Sequence, residues 1–116
     1  MDHSIHRSGR IMILYVKDFT KFPGARYRNL GPHSGEEFRD EKLIPAIKSK
    51  GSDLVINLDG VFGYGSSFLE EIFGGCIRQG IDGDIMLSII ERIVSEEDPD
   101  LIDEIREYVN DAISAQ

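Results

Sequence analysis

The run Asp53-Leu-Val-Ile-Asn-Leu-Asp-Gly-Val-Phe-Gly-Tyr-Gly-Ser-Ser-Phe-Leu-Glu-Glu-Ile-Phe-Gly-Gly75 sets an apolar strand, a glycine-spaced loop and an amphipathic helix in unbroken succession. No other stretch narrows the fold as much. Residues 54–58 are apolar, partly β-branched and too few for a helix, so they read as a strand covered on both faces. From Ser67 to Gln79 the apolar residues Phe68, Leu69, Ile72, Phe73, Cys76 and Ile77 recur at spacings of one, three and four, which makes a single stripe. Glu70, Glu71, Gly74, Gly75, Arg78 and Gln79 fall on the other side.

The flanking sequence repeats the alternation of strand and helix. Residues 11–16 form an apolar run between Arg10 and Lys17-Asp18, and read as another covered strand. After the turn dipeptide Pro23-Gly24, the alternation of residues 26–30 fits a short edge strand that Gly31-Pro32 stops, or else an irregular segment, since the loop before it is long for a hairpin. Ser34-Gly-Glu-Glu37 has the Ser-x-x-Glu form of a capping box, so a helix is expected there, with Phe38, Leu43, Ile44 and Ile47 on its buried side. Pro45 lacks an amide hydrogen and crowds the carbonyl four residues back, which implies a kink or two short helices before Lys50-Gly51 ends the element. Residues 82–88 read as a short helix and residues 89–95 as a third central strand, although the period of the latter fits helix and strand alike. Asp98-Pro99 then caps a terminal helix whose stripe is Leu101, Ile102, Ile105, Tyr108, Val109, Ala112 and Ile113. Strands alternating with helices imply an α/β layered domain with a mostly parallel or mixed sheet and right-handed crossovers.

A chain of 116 residues suits one domain with one core, so residues 10–116 are taken as that domain and residues 1–9 as a mobile terminus. No apolar run approaches the ~20 residues that a bilayer span needs, and Asp2, His3, His6 and Arg7 are too polar for a signal peptide. The single cysteine, Cys76, excludes an internal disulfide and a Cys-based zinc cluster, and a cytoplasmic location is expected. Charge is uneven: residues 82–116 hold eleven acids against Arg92 and Arg106, giving −9, while the first 81 residues carry +1. A net acidic domain gains nothing from counterion release on DNA, which disfavours nucleic acid. The acidic end suits a basic protein partner, or is an ordinary solvated face.

Chemistry concentrates in the loop leaving the strand and entering the helix, where amide hydrogens and the positive helix end converge. Gly60, Gly63 and Gly65 free the backbone there, and Ser66 and Ser67 place hydroxyls at the helix start, with Glu70 completing a second capping box to Ser67. The loop either tolerates a phosphate or simply turns the chain under a serine cap. It lacks the lysine of a Walker loop and the spacing of a dinucleotide fingerprint. Gly74 and Gly75 mean either that the helix ends at Phe73 or that another backbone or a partner approaches closely. Asp59 ends the strand as a lone carboxylate, and Glu70 and Glu71 point about 100° apart on a helix, which argues against a paired acid and base. His3, His6 and His33 show no metal-ligand spacing beyond a weak His-x-x-His near the terminus, so no metal or other cofactor is expected. Arg26, Arg28 and Arg39 read as surface ion-pair partners of Glu36, Glu37 or Asp59, or as holders of an anion near Ser66 and Ser67.

Gly31-Pro-His-Ser-Gly-Glu-Glu-Phe-Arg39, Leu58-Asp-Gly60 and Gly63-Tyr-Gly-Ser-Ser-Phe-Leu-Glu-Glu-Ile-Phe-Gly-Gly75 together resemble the bacterial STAS-like family of unassigned function, over residues 11–112. The resemblance implies a STAS-type fold, with a four- or five-stranded sheet backed by helices, and kinship with anti-sigma-factor antagonists. In those antagonists a strand, an Asp-Ser-Ser-Gly loop and a helix form the surface docked by a kinase-type anti-sigma factor, and phosphorylation of a serine there releases it. Residues 55–69 lie over that pattern, which makes Ser67 the phosphoacceptor by position and Ser66 its neighbour. Gly65 replaces the acid before the serines, Phe68 replaces the glycine after them, and Glu70 and Glu71 would repel an added dianion. The expectation is a non-enzymatic regulatory module, with no nameable nucleophile and base pair. It would dock a histidine-kinase-like ATPase or anti-sigma factor through Asp59, Gly60, Gly63, Tyr64, Gly65, Glu70, Glu71, Gly74 and Gly75. The alternative is a small-ligand or nucleotide sensor that uses the same loop with Arg26, Arg28 and Arg39.

Overall fold

The computed structural model describes residues 11–116, so the terminus assigned to residues 1–9, with His3 and His6, lies outside the described residues. Strand β1 (Met12–Tyr15) runs parallel to β2 (Leu54–Asn57), with Met12 beside Leu54 and Tyr15 beside Asn57. Between them come a single turn α1 (Val16–Phe19), a 3-10 turn (Arg28–Leu30), α2 (Gly35–Phe38), a π-helical turn (Arg39–Leu43) and α3 (Ile44–Lys50). Three longer helices follow β2, namely α4 (Ser66–Arg78), α5 (Gly83–Ile90) and α6 (Asp100–Ser114).

Alternation along the second strand works as the pleat requires: Leu54, Ile56 and Leu58 are buried while Val55 and Asn57 are half-exposed. The apolar stripe of α4 meets Phe38, Leu43, Met86, Ile89, Ile105 and Val109 in one core. α4 is enclosed on both sides, by α6 and by the start of α2. A Cβ at Gly35 would lie 3.0 Å from the Phe68 carbonyl oxygen and from the Glu71 Cβ, so only glycine lets α2 cross α4 this closely.

The sheet is smaller than expected. Among the described residues it has two strands and one further parallel bridge, Asn57 to Val94, rather than four or five strands. Residues 89–95 do not form a third strand because Met86, Ile89 and Ile90 bury one face of α5 at helical spacing, leaving Val94 alone to pair. The Val94 amide donates to the Ile56 carbonyl at 2.9 Å, and the Val94 carbonyl accepts the Leu58 amide at 2.8 Å. Residues 26–30 do not form an edge strand either. Tyr27, Arg28, Asn29 and Leu30 are all exposed, so their alternation has no face to bury, and residues 28–30 close into the 3-10 turn.

The expected cap at Ser34 is present. Its hydroxyl accepts the Glu37 amide at 3.1 Å, and the returning Glu37 carboxylate takes the amide of His33 at 3.2 Å, one residue earlier than a standard capping box. Pro45 neither breaks nor separates the helical path. The π turn before it, closed by the Ile44 amide on the Arg39 carbonyl, adds a residue to the turn facing the pyrrolidine ring. Asp82 caps α5 by accepting the Ile85 amide at 3.2 Å. Asp98 does not cap α6, which takes Pro99 as its N-cap with no side-chain bond.

Candidate functional site

The loop between β2 and α4 is held from below and bare on top. Asn57 Oδ1 accepts the Asp59 amide at 2.9 Å, folding the chain back at the strand's end. The Asp59 carboxylate then accepts the amides of Glu96 and Glu97 at 3.1 and 3.0 Å, and Glu97 Oε1 accepts the Gly60 amide at 2.9 Å. Two loops are thereby clamped together by charge-assisted bonds. Gly60 has φ +87°, and a Cβ there would come within 2.7 Å of the Lys17 side chain. The Tyr64 hydroxyl donates to the Leu58 carbonyl at 2.7 Å; burial, then the nearby Asp59 and Glu97, raise its pKa and keep it a donor. A cleft of about 230 Å³ lies between this loop and residues 95–101, with Asp59, Tyr64, Glu97 and Leu101 in its wall.

Above these anchors Phe62, Gly63, Gly65, Ser66 and Ser67 are exposed. Phe62 is 78% exposed and stacks flat on Phe22, with ring centroids 4.7 Å apart. Its amide donates to the Lys21 carbonyl at 2.9 Å, which fixes the pair to the neighbouring loop. α4 begins at Ser66, one residue earlier than the sequence implied, with Gly65 as N-cap. Neither serine caps the helix, so the Ser67 and Glu70 capping box is corrected: Glu70 is drawn instead to two arginines. Ser66 also neighbours the Tyr108 hydroxyl, which donates to Glu104 at 2.5 Å and whose pKa is pushed up to about 12, chiefly by burial and then by Glu104.

One turn further along, α4 carries an ion network that the sequence did not disclose. Arg26 Nη1 donates to Glu70 and, at 3.1 Å, to Glu71, while Arg78 donates to Glu70 at 2.7 and 2.9 Å and to Glu71 at 3.3 Å. Arg39 donates to Glu71 in a buried pair and to Asp40 at 2.9 Å. Burial works to lower the Arg39 pKa, but Asp40 and Glu71 outweigh it and the result is a rise. Hydrogen bonds from Arg78, then Arg26, hold the Glu70 carboxyl below its ordinary range. Arg28 pairs with Glu41 at 2.8 Å on the surface. The three guanidinium groups thus meet Glu41, Asp40, Glu70 and Glu71, and Glu36 instead accepts the backbone amide of Arg28 at 3.0 Å.

Gly74 and Gly75 belong to this network. The helix does not end at Phe73, and the nearest described neighbours of both glycines are side chains rather than backbone. A Cβ at Gly74 would lie 2.3 Å from Glu70 Oε2, and one at Gly75 2.9 Å from Arg39 Nη1 and 3.2 Å from Glu71 Oε2. Glycine makes room for the buried ions. Cys76 lies in the core with its thiol donating to the Ile72 carbonyl at 3.2 Å, and burial pushes its pKa up to about 12. Among the described residues no group of three or more His, Cys, Asp or Glu side chains is arranged to hold a metal, and no helix is long and apolar enough to cross a membrane.

The stretch that builds most of this, from the Ser34 cap through the loop and α4 to Pro99, coincides with a match to the family model of a STAS-like domain of unknown function (DUF4325), residues 34–99. No curated protein and no solved structure matches the chain. The match covers more than half of the sequence and includes the anchored loop and, apart from Arg26, the ion network, and the chain therefore belongs to the STAS-like domain family of unknown function.

Proposed function

We propose that the chain is a non-enzymatic regulatory module that docks a protein partner on the exposed loop and first turn of α4. The partner is a histidine-kinase-like ATPase or anti-sigma factor, and phosphorylation of Ser67 or Ser66 releases it. The observation that carries this reading is the pairing of two exposed hydroxyls with the solvent-facing Phe22 and Phe62 stack on one anchored surface. Exposed aromatic surface beside polar groups is the composition of a docking patch.

The electrostatic objection to a phosphate at this place is weakened by the ion network. Glu70 and Glu71 are already matched by Arg26, Arg39 and Arg78, so they confront an added dianion as partners in salt bridges rather than as free charges. The first-turn amides and the helix dipole favour that charge. Ligand sensing is disfavoured because the guanidinium groups it would use are occupied by carboxylates.

Affinity capture from a native extract, with the chain and its Phe62→Ala and Ser67→Glu variants compared by quantitative mass spectrometry, tests the proposal. An ATPase-type partner enriched by the unaltered chain and reduced about tenfold or more by either variant is expected. Equal recovery by all three, or recovery of no ATPase, overturns it.

A further inference from the structure

We propose that the open edge of β1 receives β1 of a second copy of this chain, antiparallel and across a twofold axis, joining two small sheets into one. Along one edge β1 pairs with β2; along the other no described residue makes a backbone hydrogen bond to it. Parallel pairing satisfies one row of amides and carbonyls and leaves the other row facing outward. Ile11 and Ile13 flank that row at 56% and 46% exposure. Protections that proteins place on unpaired edges are missing, since Met12–Tyr15 contains no proline, no lysine and no other charge.

A groove of about 290 Å³ follows this edge, walled by all of β1, by Phe19 and Phe38, and by Asp18 and Lys42. Its chemistry specifies an extended polypeptide, because only another strand matches alternating donors and acceptors along the whole of β1. A second copy suits it for three reasons. Antiparallel pairing of a strand with itself is isologous, so one surface satisfies both partners. The groove carries one acid and one base, which makes it self-complementary in charge. The −9 of residues 82–116 lies outside β1, whereas the first 81 residues carry only +1, so two acidic molecules join through the half that does not repel. Centred on Ile13, the pairing sets Ile11 opposite Tyr15 of the other copy and gives four continuous strands in place of two, a size at which a sheet is no longer marginal.

Sedimentation equilibrium of the full chain between about 1 and 100 µM tests this, with twice the 13.0 kDa monomer mass expected at the upper end. Ile13→Lys sets two ammonium groups against each other at the axis and should weaken dimerisation about tenfold or more, with circular dichroism unchanged. Ile11→Lys is the second variant should the first fail to fold. Ile85→Lys, on the exposed side of α5, should leave association unaltered. Hydrogen exchange of the β1 amides should slow as the dimer forms. A monomer at every concentration overturns the proposal, whether its β1 amides exchange slowly, which assigns the edge to the chain's own first ten residues, or fast, which assigns it to a different protein's strand. A dimer that both lysine variants leave intact overturns it equally.

Discussion

Two adjacent glycines inside α4 cost that helix on the order of 2 kcal/mol relative to alanines, and what surrounds each of them decides what a methyl group would do. At Gly75 the methyl would press on Arg39 and Glu71, both buried and committed to each other. Strain of ~1–3 kcal/mol should outweigh the helix propensity gained, so Gly75→Ala is expected to lower stability by about 1 kcal/mol in urea denaturation. At Gly74 the nearest atom is the far end of Glu70, a partly exposed side chain that can swing away, so Gly74→Ala should be close to neutral. A stabilised Gly75→Ala protein would show that the buried pair does not need the space. Glu70 gives a pH signature. Its folded pKa lies below the ordinary 4.5, so its contribution to stability is complete above that value and is lost as pH falls through the depressed one. Denaturant midpoints should therefore drop below about pH 4.5, and Glu70→Gln should flatten that part of the profile. None of these pairings was legible in the sequence, because Arg26 and Glu70 lie 44 residues apart and ion pairs leave no periodic trace.

Elements with long stripes were readable and short ones were not. α4 and α6 declare themselves through apolar repeats over three turns or more, and both form close to where the repeats place them. Residues 26–30 and 89–95 offered only a few alternating or apolar positions, a length at which strand, helix and turn share one pattern. The π turn ahead of Pro45 is a compromise between propensity and packing that no local rule selects. Ser34, by contrast, was identified from its capping motif and is fully buried in the structure. Replacing it by alanine removes the acceptor of the Glu37 amide and should cost about 1–2 kcal/mol, measured by thermal or urea unfolding. A loss below a few tenths of a kcal/mol would mean that another group satisfies that amide.

For the molecule as a whole, the exposed candidate surface was legible through Gly63, Gly65, Ser66 and Ser67, but its support was not. Asp59 looked like a lone acid at a strand end, and instead fastens the loop to residues 96–97 across the cleft. Asp59→Ala should destabilise the protein by about 2 kcal/mol, the scale of charge-assisted hydrogen bonds lost to a side chain. It should also speed hydrogen exchange at Gly60, Glu96 and Glu97. Unchanged exchange there would mean that the two loops keep their places without the clamp.

The parallel register of β1 and β2 has a bearing on how the molecule comes into being. Its two strands are separated by about 40 residues of chain, and their bridge to Val94 by as many again, so little of the sheet can form from local encounters. During synthesis the wholly apolar β1 leaves the ribosome well before its partner exists, and for that interval it is a sticky, unpaired segment suited to chaperones.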